Sequence, residues 1–221
     1  MAPQATAPAR RPAGSSRDEA DKTLDGRVVR GARTRHALAE ALVSLLEQGE
    51  ARPTARQVAE RAGVSLRLVY HHFEDMEAVL RSAVAIQVER HWSRRQHVDR
   101  SLPLEERVTA LVRQRATLFE AIAPVRRAAA SVEPESPTVA AELDRARHEL
   151  RAEVADIFAP ELTAAGGRRT ELLDMVELVT AWESWDQLRR RMGRSVSAAR
   201  RVTISLTIAA LHTGSRHGGS R

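Results

Sequence analysis

The stretch TARQVAERAGVSLRLVYHHF, residues 54–73, contains the signals that decide the fold of this chain. Thr54 is suited to cap a short helix, and Gly63 is suited to end that helix in a left-handed conformation. Ser65 is suited to cap a second helix of about two turns, which ends near His72. Two short helices joined by a tight turn are typical of a helix-turn-helix, whose second helix enters the major groove of DNA.

The two predicted helices have an apolar face towards each other and a polar face outwards. An Arg on the outer face, Arg67, can bind the O6 and N7 atoms of guanine, and hydroxyl groups such as that of Tyr70 can donate to phosphate. Solvent exposure of Arg67 and packing of Leu66 or Leu68 over the core edge remain open alternatives, and His72 is interpreted as packed inside. The predicted DNA-binding residues are Arg33, Thr54, Arg56, Ser65, Leu66, Arg67, Leu68, Tyr70 and His71.

Positive charge is concentrated around this stretch. The chain has 35 Lys and Arg against 29 Asp and Glu, a net charge of +6. Gly26–Phe73 contains eight Arg and four Glu, a net charge of +4. A local excess of this kind is expected on a surface that binds phosphates, although a solvated helical face would have the same composition.

The remaining chain is patterned as helices. Leu38, Leu42 and Leu45 repeat at helical spacing and predict a first helix of about 20 residues that ends near Gly49. Further helices are predicted from Asp75 to about Val98 and near 104–121, 124–131, 138–158, 169–191 and 196–213. No segment alternates as a strand would, so we predict an all-α fold. Residues 1–25 are predicted to be a disordered tail, and residues 214–221 a flexible one.

Other classes of protein are disfavoured by what the sequence lacks. It has no Cys, and it has no Gly-rich phosphate loop, no His-Glu-x-x-His motif and no catalytic spacing of Ser, His and Asp. We therefore predict neither enzyme activity, nor a cofactor, nor a metal site. No apolar run approaches the roughly 18 residues that span a membrane, and the N-terminus shows no secretory signal, so we expect a cytoplasmic protein.

The segment TRHALAEALVSLLEQGEARPTARQVAERAGVSLRLVYHHFEDMEAVL, residues 34–80, resembles the DNA-binding domain of the tetracycline-repressor (TetR) family of bacterial transcription regulators. The resemblance implies an N-terminal three-helix helix-turn-helix DNA-binding domain, residues 26–74. It also implies a larger helical domain for ligand binding and dimerisation, residues 75–213. The implied partners are operator DNA, a second copy of the chain and a small-molecule effector, with no membrane.

Two positions depart from the family pattern. The family usually has a small residue, often Gly, where this chain has Arg67, and this change is expected to shift the preferred operator sequence. It usually has a Lys where this chain has Met76. That Lys commonly helps to bind phosphate, so its loss predicts a slightly shallower salt dependence of DNA binding.

Two apolar helices near the C-terminal end are the candidates for dimerisation. With their mates they would form a four-helix interface around a two-fold axis, which a protein that reads a palindrome needs. The same apolar stripes would also suit an intramolecular core. The predicted interface residues are Leu172, Met175, Val176, Val179, Val202, Leu206, Ala209 and Ala210.

A ligand pocket is predicted among the large side chains of the C-terminal domain. Aromatic residues make up only 3% of the chain and most of them fall here, although such residues also suit a core. The predicted lining consists of His91, Trp92, Arg115, Phe119, Phe158, Trp182 and Trp185. We therefore predict a ligand-responsive repressor that binds a palindromic operator as a homodimer. The alternatives are a regulator of this fold without an effector and a helical interaction protein.

Overall fold

The computed structural model of the protein describes residues 15–92 and 96–215, with side chains for residues 28–91 and 96–213. Within these ranges the chain contains helices, turns and loops and no strand, so the all-α prediction is confirmed. None of the described helices is long and apolar enough to cross a membrane. The helices are α1 (Ser15–Glu47), α2 (Ala55–Ala62), α3 (Leu66–His72), α4 (Met76–Trp92), α5 (Leu104–Val132), α6 (Pro137–Ile157), α7 (Ala159–Ala164), α8 (Arg169–Thr180), α9 (Trp182–Asp186) and α10 (Val196–Ser215). A 3-10 turn, Gly166–Arg168, precedes α8, and a π-helical turn, Gln187–Arg191, follows α9.

The first helix begins earlier than the sequence pattern indicates. The sequence predicts a disordered tail over residues 1–25, but α1 already begins at Ser15. This segment contains Ala, Glu, Arg and Lys, whose helix propensity extends a helix without any apolar stripe. The predicted tails at residues 1–14 and 216–221 lie outside the described residues.

Three other predicted helix boundaries are wrong. The fourth helix ends at Trp92 and not near Val98. The break at Pro124 is absent, because α5 continues through it with Ala123 and Val125 buried on either side, and their packing compensates for the hydrogen bond that Pro removes. The helix predicted over 169–191 is interrupted at Ala181, whose φ of −73° and ψ of 160° are extended.

The helices enclose three apolar clusters. The first, here called the N-terminal cluster, contains the inner faces of α1 to α4 together with Val125 and Ala129 of α5 and Val139 and Leu143 of α6. The second lies among the outer ends of α5 and α6 and the helices α7, α8 and α10. The third packs Trp182 and Trp185 against the middle of α5. The end of α5 and the start of α6 therefore join the first three helices to the rest of the molecule.

Candidate nucleic-acid interface

Helix α2 is fixed at its start by reciprocal capping. The Thr54 hydroxyl oxygen accepts from the Gln57 backbone N–H at 3.3 Å, and the Gln57 side-chain oxygen accepts from the Thr54 N–H at 2.8 Å. The Gln57 amide nitrogen also donates to Glu50 at 3.2 Å, which ties this cap to the loop after α1. This reciprocal pair of hydrogen bonds is a capping box. Because it satisfies the backbone N–H groups of both Thr54 and Gln57, it fixes the start of α2.

The turn between α2 and α3 is built by Gly63 and Ser65. Gly63 has φ 69° and ψ 31°, the left-handed conformation that ends a helix, and the Val64 N–H donates to the Ala59 carbonyl at 3.0 Å. The Ser65 hydroxyl oxygen then accepts from the Leu68 N–H at 3.3 Å and begins α3. The order of signals expected from the sequence is therefore the order in the structure.

Helix α3 is anchored by its inner face. Val69 and Phe73 are buried in the N-terminal cluster, and the Arg35 guanidinium of α1 lies 5.0 Å from the centre of the Phe73 ring. This is a cation–π distance, so the end of α3 is held against α1 as well as against α2. Asp75 accepts from the Ala78 N–H at 2.8 Å and caps α4.

The outer face of α3 presents four exposed side chains: Ser65, Arg67, Tyr70 and His71. Tyr70 is 57% exposed, which is a high exposure for a large aromatic side chain. Leu66 and Leu68 are half-buried, and Leu66 packs against the N-terminal cluster. Leu66 therefore contributes to the edge of the core, whereas the four exposed side chains are open to a partner.

Three exposed arginines in and beside the helix-turn-helix have no counter-ion in the part of the chain that the structure describes. Arg33, Arg56 and Arg67 are exposed, and within the described residues none of them has an ion pair or a side-chain hydrogen bond. Many arginines of the C-terminal helices are paired, for example Arg126 with Glu183 at 2.7 Å and Arg189 with Glu120 at 2.8 Å. The positive charge of the helix-turn-helix is thus available to an external anion.

One nearby Arg serves the fold instead. Arg61 of α2 donates to the Ser44 hydroxyl and to the Gln48 side-chain oxygen of α1, each at 2.6 Å. These bonds hold α2 across α1. Arg61 therefore orients the helix-turn-helix, and its guanidinium is engaged within the protein.

His72 is the residue of this region whose titration is clearly shifted. Its ring is half-buried, and it lies edge-on to His71 with ring centres 5.1 Å apart. Burial lowers the pKa of His72, and the neighbouring His71 and Arg35 lower it further. His72 therefore favours its neutral form in the folded protein, which agrees with its interpretation as a packed residue.

The C-terminal domain contains a cavity of about 370 Å³. Of the predicted lining residues, Arg115, Phe119 and Trp182 lie in its wall. Phe158 is fully buried in the second cluster, Trp185 is buried with its indole N–H donating to Glu120, and neither lines the cavity. His91 does not line the cavity, but its Nε2 lies 3.0 Å from the side-chain oxygen of Gln87, which does. The side chain of Trp92 lies outside the described residues.

Gln87, Arg126 and Arg147 also line the cavity and are not among the lining residues predicted from the sequence. Gln87 could have been found from the sequence, because it is a polar residue one turn after Ala83 and Val84, on the buried face of α4. The arginines gave no such signal, because their placement in the wall depends on how α5, α6 and α9 pack, and Glu183 of α9 lies beside both of them.

The predicted interface residues divide between the core and the surface. Leu172, Val176 and Ala210 are buried inside the second cluster. Val202 and Leu206 of α10 are 38% and 51% exposed, and Ala209 is exposed beside them. Met175 and Val179 of α8 are half-buried. We name the residues of the second group, Met175, Val179, Val202, Leu206 and Ala209, the outer apolar face.

The described residues contain no group of three or more His, Cys, Asp or Glu side chains placed to hold a metal ion.

Comparisons with known proteins agree with this geometry. Residues 37–83 match the family model of the bacterial regulatory proteins of the tetR family. A transcriptional regulator from Rhodococcus sp. Rha1 has a similar structure, with a TM-score of 0.65 and 20% sequence identity over 81% of this chain and 96% of that one. A tetR-family transcriptional regulator from Streptomyces coelicolor has a TM-score of 0.64 and 18% identity over 83% of this chain and 82% of that one. No curated protein matches this chain in sequence.

Proposed function

We propose that this protein is a repressor that occupies operator DNA in the cytoplasm. Two findings support the proposal: residues 37–83 match the model of the bacterial regulatory proteins of the tetR family, and the chain has the fold of solved transcriptional regulators. The observation that carries the proposal is the outer face of α3. It presents Arg67, Tyr70 and His71 to solvent on a helix whose start, end and inner face are all fixed. A rigid, positively charged helix face of this kind suits the major groove.

The side chains of the outer face of α3 contact both the bases and the phosphates of DNA. Arg67 reads guanine through two parallel hydrogen bonds, and Tyr70 and His71 bind phosphate or base edges. Arg33 and Arg56 add phosphate contacts from α1 and α2. Thr54 and Ser65 act mainly by capping, since their hydroxyl oxygens already accept backbone N–H groups. Leu66 and Leu68 offer the part of their surface that the core leaves free to thymine methyl groups.

The protein acts as a homodimer, in this proposal, through the outer apolar face of α8 and α10. Val202 and Leu206 are four residues apart on α10, and both remain exposed in the isolated chain. A two-fold axis beside this face would bury them against their own copies and pair two α3 helices with two half-sites. The division into a DNA-binding domain, residues 26–74, and an effector and dimerisation domain, residues 75–213, belongs to the same proposal.

A small-molecule effector regulates the proposed repressor through α4. Val84 of α4, Val125 of α5 and Leu143 of α6 line the cavity and also belong to the N-terminal cluster that holds the helix-turn-helix. A ligand that changes the position of this wall therefore changes the packing behind α3. The effector acts only by its different affinity for the DNA-binding and the released states. The cavity supports this reading over a regulator of the same fold without an effector.

The test is selection of binding sites from a random duplex library with the purified protein, at a stated salt concentration. We expect enrichment of a two-fold symmetric sequence, and its genomic copies give the operators. If the folded protein enriches no sequence, the protein is not an operator-binding regulator and a helical interaction protein becomes the better description. An enriched site without two-fold symmetry would contradict the homodimer.

A further inference from the structure

The wall of the C-terminal cavity is mainly apolar. It is formed by side chains from α4, α5, α6, α8 and α9, and its volume of about 370 Å³ falls in the range of small-molecule sites. The apolar residues of the wall are Val84, Val88, Leu118, Phe119, Ile122, Val125, Leu143, Ala146, Leu150, Val154, Leu178, Ala181 and Trp182. An apolar molecule is therefore favoured inside it.

The buried arginines of the wall already have counter-ions. Arg115 donates to Glu153 at 2.8 Å and to the Leu150 carbonyl at 2.8 Å. Arg126 donates to Glu183 at 2.7 Å, and burial lowers its pKa while the carboxylates Glu183 and Glu133 oppose that effect. A ligand carboxylate would have to displace a protein carboxylate from either guanidinium, so these arginines do not form a prepared anion site.

The other charged groups of the wall lie towards solvent and are paired too. Arg147 contacts Glu133, Asp144 and Glu183, and Arg151, just behind the wall, contacts both Asp174 and Glu177. The side chains of Asp174 and Glu183 are 59% and 56% exposed, so they lie at the water-facing edge of the cavity. Carboxylates outnumber arginines in this network, which disfavours anions further, and each carboxylate has a guanidinium beside it, which disfavours ammonium groups.

Gln87 is a neutral polar group of the wall that has a hydrogen-bond donor to spare, whereas the hydroxyl of the other, Thr180, already donates to the Val176 carbonyl at 2.7 Å. Gln87 is only 3% exposed, and its side-chain oxygen lies 3.0 Å from His91 Nε2, from which it accepts in the tautomer that carries the proton on Nε2. The amide nitrogen of Gln87 has no hydrogen-bond partner among the described residues. Because Gln87 lines the cavity, a ligand oxygen placed there could accept from this N–H group, which the described part of the protein leaves without a partner.

We propose that the cavity takes an uncharged, mainly apolar molecule with a hydrogen-bond acceptor such as a carbonyl oxygen, and that Gln87 donates to this acceptor. The proposal rests on the proposed function in that it names the chemical class of its effector. The donor lies on α4, whose Val84 one turn earlier also packs in the N-terminal cluster. Recognition of the acceptor is therefore made on the helix that leads to the DNA-binding domain.

The test compares four ligands of equal chain length that differ only in their head group: nonane, 2-nonanone, nonanoate and nonylamine. Each is titrated into the full-length protein, and binding is followed by calorimetry and by the tryptophan emission, to which Trp182 of the cavity wall contributes. We expect 2-nonanone to bind about tenfold more tightly than nonane, the equivalent of one hydrogen bond. We expect nonanoate and nonylamine to bind about a hundredfold more weakly than 2-nonanone, because each carries an unpaired charge into the cavity.

The near-isosteric variant Gln87→Met removes the donor and keeps the volume. We expect it to bind nonane and 2-nonanone about equally, whereas the control Gln187→Met, at an exposed position of the π-helical turn, keeps the tenfold preference. Thermal unfolding of both variants verifies that they fold, and the wild-type series tests the ligand class without any variant.

Tighter binding of nonanoate or nonylamine than of 2-nonanone would overturn the proposal, and so would binding of none of the four ligands. Operator binding by the same wild-type preparation is measured in parallel. Retained operator binding with either of these results would refute the ligand class alone, whereas the expected ligand order without operator binding would refute the DNA-binding function alone.

Discussion

Arg67 occupies the most informative single position of the proposed DNA interface. It is exposed, it has no ion pair within the described residues, and it lies on the helix that would enter the groove. Its guanidinium therefore loses no protein contact when it binds guanine. We expect Arg67→Ala to weaken binding to the selected operator by about 1–3 kcal/mol and to relax base preference at the position that it reads, as measured by quantitative gel shift and by repeated site selection.

The matched control is Arg113→Ala on α5, which removes the same charge from an exposed position far along the chain from α3. We expect this control to bind the operator within about twofold of wild type, since its charge lies outside the proposed interface. Equal losses in the two variants would show that only net charge matters, and that Arg67 does not read a base.

His72 gives a prediction about pH. Its pKa is lowered in the folded protein by burial, by His71 and by Arg35, whereas in the unfolded chain it titrates near about 6.5. Below that value the unfolded chain binds more protons than the folded one, so folding stability is fully present at higher pH and declines as the pH falls. We expect the melting temperature of wild type to fall between pH 7.5 and pH 5.5, and the fall to be smaller in His72→Gln.

The comparison for this experiment is His212→Gln, an exposed His near the end of α10. Its pH dependence should follow that of wild type, because the side chain has no packed environment to lose. If His72→Gln shows the same decrease as wild type, then another group controls the acid sensitivity.

At the scale of single elements, the turn between α2 and α3 depends on the backbone of Gly63. Its φ of 69° is left-handed, and a Cβ added there would meet nothing within 4 Å, so a substitution would suffer backbone strain and no clash. We expect Gly63→Ala to lower the free energy of unfolding by about 1 kcal/mol, as measured by urea denaturation. The same variant should lose operator affinity, because α3 is oriented by this turn.

Gly167 supplies the control for that prediction. A Cβ there would also meet nothing within 4 Å, but its φ lies outside the left-handed region. Gly167→Ala should therefore keep or raise the free energy of unfolding by about 0.4–1 kcal/mol, since Ala restricts the unfolded chain. A similar loss of stability in both variants would argue against backbone strain at Gly63.

The accuracy of prediction from sequence differs between elements for a physical reason. Helices α2 and α3 were placed correctly because Thr54, Gly63 and Ser65 act on backbone groups a few residues away. The break at Ala181 was missed because it comes from distant packing. Trp182 and Trp185, which follow it, lie 5.7 and 6.5 Å from the ring of Phe119 on α5, and no local residue encodes this contact.

The candidate sites show the same contrast. The outer face of α3 follows from helical spacing, so the exposed residues Arg67, Tyr70 and His71 were all named from the sequence. The cavity depends on how five helices pack together, so the sequence pattern predicts the large aromatic residues of this domain but does not separate those of the wall from those of the core. Phe119 lies in the wall and Phe158 behind it, although both are large apolar residues at helical spacing.

At the scale of the whole molecule, the proposed two-fold axis links the apolar surface of α10 to DNA binding. Leu206 is 51% exposed within the outer apolar face, and a charge there would have to be buried in a dimer. We expect Leu206→Glu to be monomeric by sedimentation velocity and to lose most of its affinity for a two-fold operator. The control Met192→Glu, which introduces the same charge at a side chain that is 50% exposed near the π-helical turn, should remain dimeric. A dimeric Leu206→Glu protein with full operator affinity would place the two-fold axis on another face.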